Sequence, residues 1–113
     1  DQALRSAAQQ QKPAIIDVYA DWCISCKVME REILSKPDVR DALSGYARIK
    51  LDLTNNTAAQ RAWLTRHQLF GPPAYLFFNS NGEELKQLRI QGEVDKVHFM
   101  RVLINADAGN ITP

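Results

Sequence analysis

The chain has 113 residues, 45% of them hydrophobic and 24% charged, with five Gly and five Pro; this suits one ordinary globular domain and excludes disordered, collagenous and disulfide-rich classes. Fourteen Lys and Arg against thirteen Asp and Glu leave a formal charge of +1, and the basic residues are scattered, so no footprint for nucleic acid or anionic lipid is present. The most apolar run, Ala74 to Phe78, is too short to cross a bilayer, and the N-terminus lacks the basic segment and apolar core of a signal peptide.

The chain opens at Asp1 without a Met and closes on a loose stretch, 108–113, so residues 1–113 read as a single domain cut from a longer polypeptide, with any targeting signal outside the fragment. Residues 2–11 carry Leu4, Ala7 and Ala8 at helical spacing, and Lys12-Pro13 closes them, because the residue before proline is pushed out of the α region. Ala14 to Ala20 is short, β-branched and apolar on both faces, which predicts a buried central strand with Asp17 as its anomaly. Asp21-Trp22-Cys23 turns into a helix reaching about Leu34, and Pro37 sits at the first position of a short helix ended by Gly45.

Ala47, Ile49, Leu51 and Leu53 alternate with Arg48, Lys50 and Asp52, a period of two that predicts a strand with one apolar face. Thr57 and Gln60 have capping-box spacing, and Ala59, Ala62, Trp63 and Phe70 continue an apolar stripe, predicting a helix to about Leu69 before Gly71-Pro72-Pro73. Tyr75 to Asn79, the Asn81-Gly82 turn signal and Leu85 to Gln91 predict a hairpin. Asp95 then caps a last helix with Val97, Met100 and Leu103 or Ile104 inward. A helix, a βαβ unit, a hairpin and a terminal helix imply an α/β fold with a mixed sheet covered on both faces; periodicity does not fix the strand order.

Cys23-Ile24-Ser25-Cys26 is the one cysteine pair, placed where a buried strand hands over to a helix. Unpaired N–H groups and the dipole at a helix start stabilise an anion, so Cys23 is expected to be the nucleophilic thiolate. Cys26, one turn on, is expected to lie nearer the core and to resolve a mixed disulfide by attacking Cys23. A structural disulfide, half of a zinc site drawing on His67 and His98, and two inert cysteines are the other readings. A loop this short constrains the unfolded chain little, and zinc wants four ligands where the two histidines offer no paired spacing, so redox chemistry is favoured.

Asp17, six residues before Cys23, would be costly to ionise inside an apolar strand and could act as general base for Cys26; the other reading is a carboxylate bonded to backbone. Glu30, four residues after Cys26, either couples to the same proton or is a solvated helix residue. With both carboxylates near the thiols, their charge would raise the thiol pKa values. Trp22 offers a flat contact to a docking partner or plain packing, and Lys27 carries no assigned role. One of the bonds in Gly71-Pro72-Pro73 is a candidate for cis geometry, although the residues alone favour a simple loop punctuator.

Tyr19-Ala20-Asp21-Trp22-Cys23-Ile24-Ser25-Cys26-Lys27 after a strand, with Asp17 upstream and Gly71-Pro72-Pro73 before the hairpin, resembles the thioredoxin family over nearly the whole chain. Within it, the Tyr-Ala-Asp-Trp-Cys-x-x-Cys-Lys form, Glu30 and the leading helix resemble the C-terminal domains of bacterial inner-membrane thiol:disulfide interchange proteins. The resemblance implies a protein-disulfide reductase in the periplasm, tethered to the inner membrane. It would take electrons from the transmembrane domain of its own polypeptide and pass them to the N-terminal domain, serving disulfide isomerisation and cytochrome c maturation. It implies Cys23 as nucleophile, Cys26 as resolving thiol, Asp17 and Glu30 as tuning carboxylates, and Pro73 as a cis proline facing the disulfide, beside the substrate contact expected of Trp22 from its own position. A monomer is expected, with no cofactor beyond the Cys23-Cys26 disulfide, no metal, and protein disulfides as substrates. Ile24-Ser25 departs from the Gly-Pro of ordinary thioredoxins, and Ala74 stands where many relatives carry Thr. The alternatives are a free-standing thioredoxin-like reductase and a non-catalytic binding module with a structural cysteine pair.

Overall fold

The computed structural model describes residues 2–109; Asp1 and residues 110–113, most of the stretch expected to be loose, lie outside them. The elements in chain order are α1 (Gln2–Gln9), β1 (Ala14–Tyr19), α2 (Ile24–Met29) continued by a π-helical turn (Glu30–Leu34), α3 (Pro37–Leu43), β2 (Ala47–Asp52), α4 (Ala58–Arg66), β3 (Ala74–Phe78), β4 (Ile90–Gln91) and α5 (Lys96–Asp107). They form a four-stranded sheet in the order β2-β1-β3-β4. β1 runs parallel to β2 and antiparallel to β3, and β3 runs antiparallel to β4. This is the mixed α/β sheet expected from the element order, with the strand order now fixed.

The pleat of the two central strands divides the core. Ile15, Tyr75 and Phe77 face one way and pack with Met29, Val39, Phe99 and Leu103, so α2, α3 and α5 cover that face. Ile16, Val18, Leu76 and Phe78 face the other way, onto Ala7, Trp63 and Leu64 of α1 and α4. Every residue of β3 is buried, as a strand covered on both faces requires. β2 lies at the edge and keeps its alternation: Ala47, Ile49 and Leu51 pack inward while Arg48, Lys50 and Asp52 remain exposed.

Three predicted details differ. The hairpin's second arm is mostly absent as a strand: beyond a single Phe78–Glu84 bridge, the chain forms a 3₁₀ turn at Lys86–Leu88 and rejoins the sheet only at Ile90–Gln91. Leu85 and Leu88 are three apart, a spacing that one tight turn, unlike a pleated strand, can direct into the same core cluster. In α5 the inward residues are Phe99, Val102 and Leu103, while Val97 and Ile104 are exposed, because Phe99 sets its ring edge-on to Tyr75 at 5.4 Å between centroids.

α4 ends at Arg66 rather than Leu69, with the Thr57–Gln60 capping box in place. Its Ala59 and Ala62 are exposed; Trp63 and Leu64 make its packed side. Gln68 turns the chain at φ 57°, so Leu69 enters the core and Phe70 leaves the apolar stripe for solvent, 97% exposed.

Candidate redox site

β1 delivers the chain to the site through Ala20, whose carbonyl accepts from the Cys23 N–H at 3.1 Å. Cys23 is the N-cap of α2, in extended conformation, and its Sγ accepts from the Cys26 N–H at 3.0 Å. Cys23 and Cys26 are joined as a disulfide, with Cα atoms 5.2 Å apart. Cys23 stands at the helix start, as expected, but exposure does not separate the two cysteines: Cys23 is 6% and Cys26 4% accessible. What distinguishes them is place, one capping the helix and the other inside its first turn.

The turn before the disulfide is fixed from outside. Thr54, just beyond β2, accepts the Asp21 N–H on its hydroxyl at 2.9 Å and the Trp22 Nε1–H on its carbonyl at 3.0 Å. Its hydroxyl in turn donates to Asp52 Oδ1. Tyr19 donates its phenol to Asp21 Oδ1 at 2.5 Å, and Lys50 stands over the Tyr19 ring, 3.8 Å from its centroid. Trp22 has its indole N–H anchored while 57% of the residue stays accessible beside Cys23.

Asp17 and Glu30 meet. With Arg48, Lys50, Ile15, Leu34, Ile49 and Tyr75 they line one cleft of about 240 Å³ on the α2 face of the sheet. Asp17 is half-buried there, and burial pushes its carboxyl up to about 6; Lys50 and Arg48 oppose the rise, and Glu30 adds to it. The cleft explains how a carboxyl is accommodated in the middle of a central strand: α2 and β2 leave an opening above it, rimmed by opposite charges. Glu30 is exposed, and its backbone N–H donates to the Cys26 carbonyl, so this edge of the cleft lies one helical turn beyond Cys26. Lys27 is exposed.

The Pro72–Pro73 bond is cis, the geometry that the resemblance, and not the residues alone, led one to expect. Pro73 is buried, and its carbonyl accepts from the Gly92 N–H at 2.9 Å, tying the start of β3 to the segment after β4. That segment reaches the disulfide loop: Ser25 Oγ donates to Glu93 Oε2 at 2.7 Å. Sequence reasoning gives no site role to Thr54, Lys50 or Glu93, and it notes Ser25 only as a departure from the Gly-Pro of ordinary thioredoxins. Lys50 had a signal, its place on the polar side of β2, whereas the partners of Thr54 and Glu93 are remote in the chain.

Among the described residues no group of three or more His, Cys, Asp or Glu side chains is placed to hold a metal. His67 stacks on Trp63 with ring centroids 4.0 Å apart, and its Nδ1 lies 2.8 Å from the Trp63 carbonyl.

Known proteins match this arrangement. A family model described as thioredoxin-like matches residues 1–80. The thiol:disulfide interchange protein DsbD 1 of Pseudomonas aeruginosa is 50% identical over 95 residues, covering 84% of this chain and 16% of that protein. DsbD of Klebsiella pneumoniae is 41% identical over 99 residues, covering 88% and 16%. The reduced C-terminal domain of Neisseria meningitidis DsbD superposes with a TM-score of 0.74 at 31% identity, covering 93% of this chain and 91% of that domain. A thioredoxin from Thermus thermophilus superposes at 0.78 with 19% identity, over 96% of this chain and 84% of that one, and shares the fold.

The chain belongs to the thioredoxin-like family. Within that family it is similar to the C-terminal domain of DsbD. It spans about one sixth of the length of these curated relatives.

Proposed function

We propose that the chain is a thioredoxin-like domain of a longer DsbD-type protein, held at the periplasmic side of the bacterial inner membrane, and that it relays electrons by thiol-disulfide exchange. The observation that carries this reading is the Cys23–Cys26 disulfide at the N-cap of α2 in a chain half identical to a thiol:disulfide interchange protein. The Asp17–Glu30 cleft one turn from Cys26 supports it. No helix among the described residues is long and apolar enough to cross a membrane, so the tether would lie elsewhere in the polypeptide.

In the oxidised form, two electrons arrive from a dithiol of the transmembrane domain, which becomes a disulfide as Cys23 and Cys26 become thiols. In the forward half, the Cys23 thiolate attacks a disulfide sulfur of the N-terminal domain. That S–S bond breaks, a mixed disulfide to Cys23 forms, and the released sulfur takes a proton. Cys26, deprotonated with the help of Asp17, then attacks Cys23 Sγ, restores the Cys23–Cys26 bond and frees the partner as a dithiol. Glu30 lines the same cleft and adds its charge beside Asp17, while Trp22 and Pro73 contact the partner. Apart from the redox-active disulfide the cycle needs no cofactor, and it runs in a monomer.

Cys26→Ser tests the reading, because Cys23 can still attack but its mixed disulfide cannot be resolved. Covalent capture of a membrane-embedded redox domain and a periplasmic thiol domain is the expected result. Capture of soluble general substrates alone would instead favour a free-standing reductase, and a reactive Cys23 that captures nothing would favour a binding module.

A further inference from the structure

We propose that Glu93, held by Ser25, is a specificity-determining residue that favours disulfide partners carrying a basic side chain beside the reacting cysteine. The inference rests on the exchange function proposed above and extends it to the chemistry of the partner. It starts from the hydrogen bond between Ser25 Oγ, inside the disulfide loop, and Glu93 Oε2 at 2.7 Å. Ser25 adjoins Cys26 and is separated from Cys23 by Ile24 alone, so this bond brings a carboxylate to the rim of the disulfide from a remote part of the chain.

The backbone holds Glu93 there. Gly92 has a φ of 85°, a left-handed conformation that a side chain would strain, and its N–H donates to the Pro73 carbonyl at 2.9 Å. The chain therefore leaves β4 tied to the proline segment and presents the next residue toward the disulfide loop. Glu93 is exposed. The nearest downstream cation in the chain, Lys96, is engaged by Asp38 at 2.8 Å. Asp21, exposed two residues before Cys23 with its carboxylate accepting from the Tyr19 phenol, adds a second negative charge nearby, and Trp22 and Ile24 supply accessible apolar surface on either side of Cys23. An approaching polypeptide meets an apolar centre with the Glu93 carboxylate beside Ser25, while the exposed cation of Lys27 lies past Cys26 along α2. A cationic side chain next to its cysteine is attracted, whereas an acidic one is repelled. Ser25 contributes by holding the carboxylate in one orientation, which limits the entropy lost when a partner engages it.

The test uses two short peptides, one with Arg and one with Glu on both sides of a single cysteine, each joined by a disulfide to thionitrobenzoate. The Cys23 thiolate of the reduced protein attacks the peptide sulfur, the bond to thionitrobenzoate breaks, and the coloured thiolate leaves, so absorbance gives the second-order rate. The ratio of the two rates cancels differences in thiol reactivity, which a purely structural role for Glu93 would alter without changing preference. The expected ratio is roughly threefold or more in favour of the Arg peptide at low ionic strength, shrinking as salt is added. Glu93→Gln should bring it close to that left by Asp21 alone, Glu93→Lys should reverse the contribution, and Ser25→Ala should weaken it without removing the charge. A ratio unchanged in both Glu93 variants would overturn the specificity role and leave the exchange function standing. Failure of the reduced wild-type protein to react with either peptide would overturn the exchange function, and the inference with it.

Discussion

Asp17 on β1 and Lys50 on β2 are register partners, so a half-buried carboxyl and an ammonium group stand side by side in one cleft. The pairing is incomplete compensation: burial outweighs the attraction of Lys50, and the carboxyl titrates at about 6 rather than at its ordinary 3.8.

The stability of the oxidised protein should consequently depend on this one group. A carboxyl whose folded pKa is raised stabilises the fold below the unfolded value and loses that contribution as pH rises through about 6. Asp17→Asn removes the cost of ionisation and is expected to stabilise by about 2 kcal/mol at pH 8, after allowing for partial solvent access, with the gain fading toward pH 4. Urea unfolding of both proteins at the two pH values checks this. An equal difference at both would show that Asp17 is not the titrating group.

The Asp17–Glu30 cleft should also act on the thiols. Removing both charges, as Asp17→Asn with Glu30→Gln, is expected to lower the Cys23 thiol pKa by roughly half a unit to one unit, because two nearby negative charges oppose the thiolate. The rate of alkylation as a function of pH gives the value. In Asp17→Asn alone, resolution of a preformed mixed disulfide by Cys26 should slow by about tenfold or more. Formation of that disulfide should slow far less, and equal slowing of both steps would remove Asp17 from the role of base.

Thr54 holds the turn that precedes Cys23 through two acceptors, one of them its side chain. Thr54→Val keeps the shape and deletes the hydroxyl, leaving the Asp21 N–H without its partner, at an expected cost of about 1 kcal/mol in unfolding free energy. The Trp22 bond goes to the backbone carbonyl and should persist. An unshifted unfolding midpoint would mean that water replaces the hydroxyl without loss.

Arg89 and Glu84 form a pair with both side chains largely covered, and Arg89 also donates to the His67 carbonyl at 2.6 Å. Truncation in Arg89→Ala strands the carboxylate and frees the end of α4, and it should destabilise by about 3 kcal/mol. Adding Glu84→Gln should recover part of the loss. No recovery in the double variant would place the whole effect on the His67 contact.

Much of this molecule is legible in its residue order where a local rule fixes the outcome. The buried run at Ala14 to Tyr19, the Thr57–Gln60 box and the Asp95 cap are all read from spacing alone, since each depends on neighbours a few residues away. The cysteine pair at a helix start is local in the same way. Legibility fails where a distant contact decides. Phe99 rather than Val97 faces the core because Tyr75 and Phe77 await it, and Leu88 leaves the predicted strand because the core below Leu85 can take both side chains. The site divides along that line as well. Cys23, Cys26, Asp17 and Glu30 lie within one short stretch, whereas Thr54 and Glu93 are brought to it by the sheet and by the segment after β4.

The π-helical turn at Glu30–Leu34 works as a phase coupling. Its wide closure, in which the Ser35 N–H reaches back to the Glu30 carbonyl at 3.0 Å, inserts an extra residue between the disulfide end of the helix and the end that packs. Ile33 and Leu34 are both buried beyond it, while Cys26 keeps the orientation set by its own first turn. The two ends of one helix are thereby indexed separately. The extra residue lets Ile33 and Leu34 both turn into the core without holding the cysteine turn to the same angular position about the helix axis.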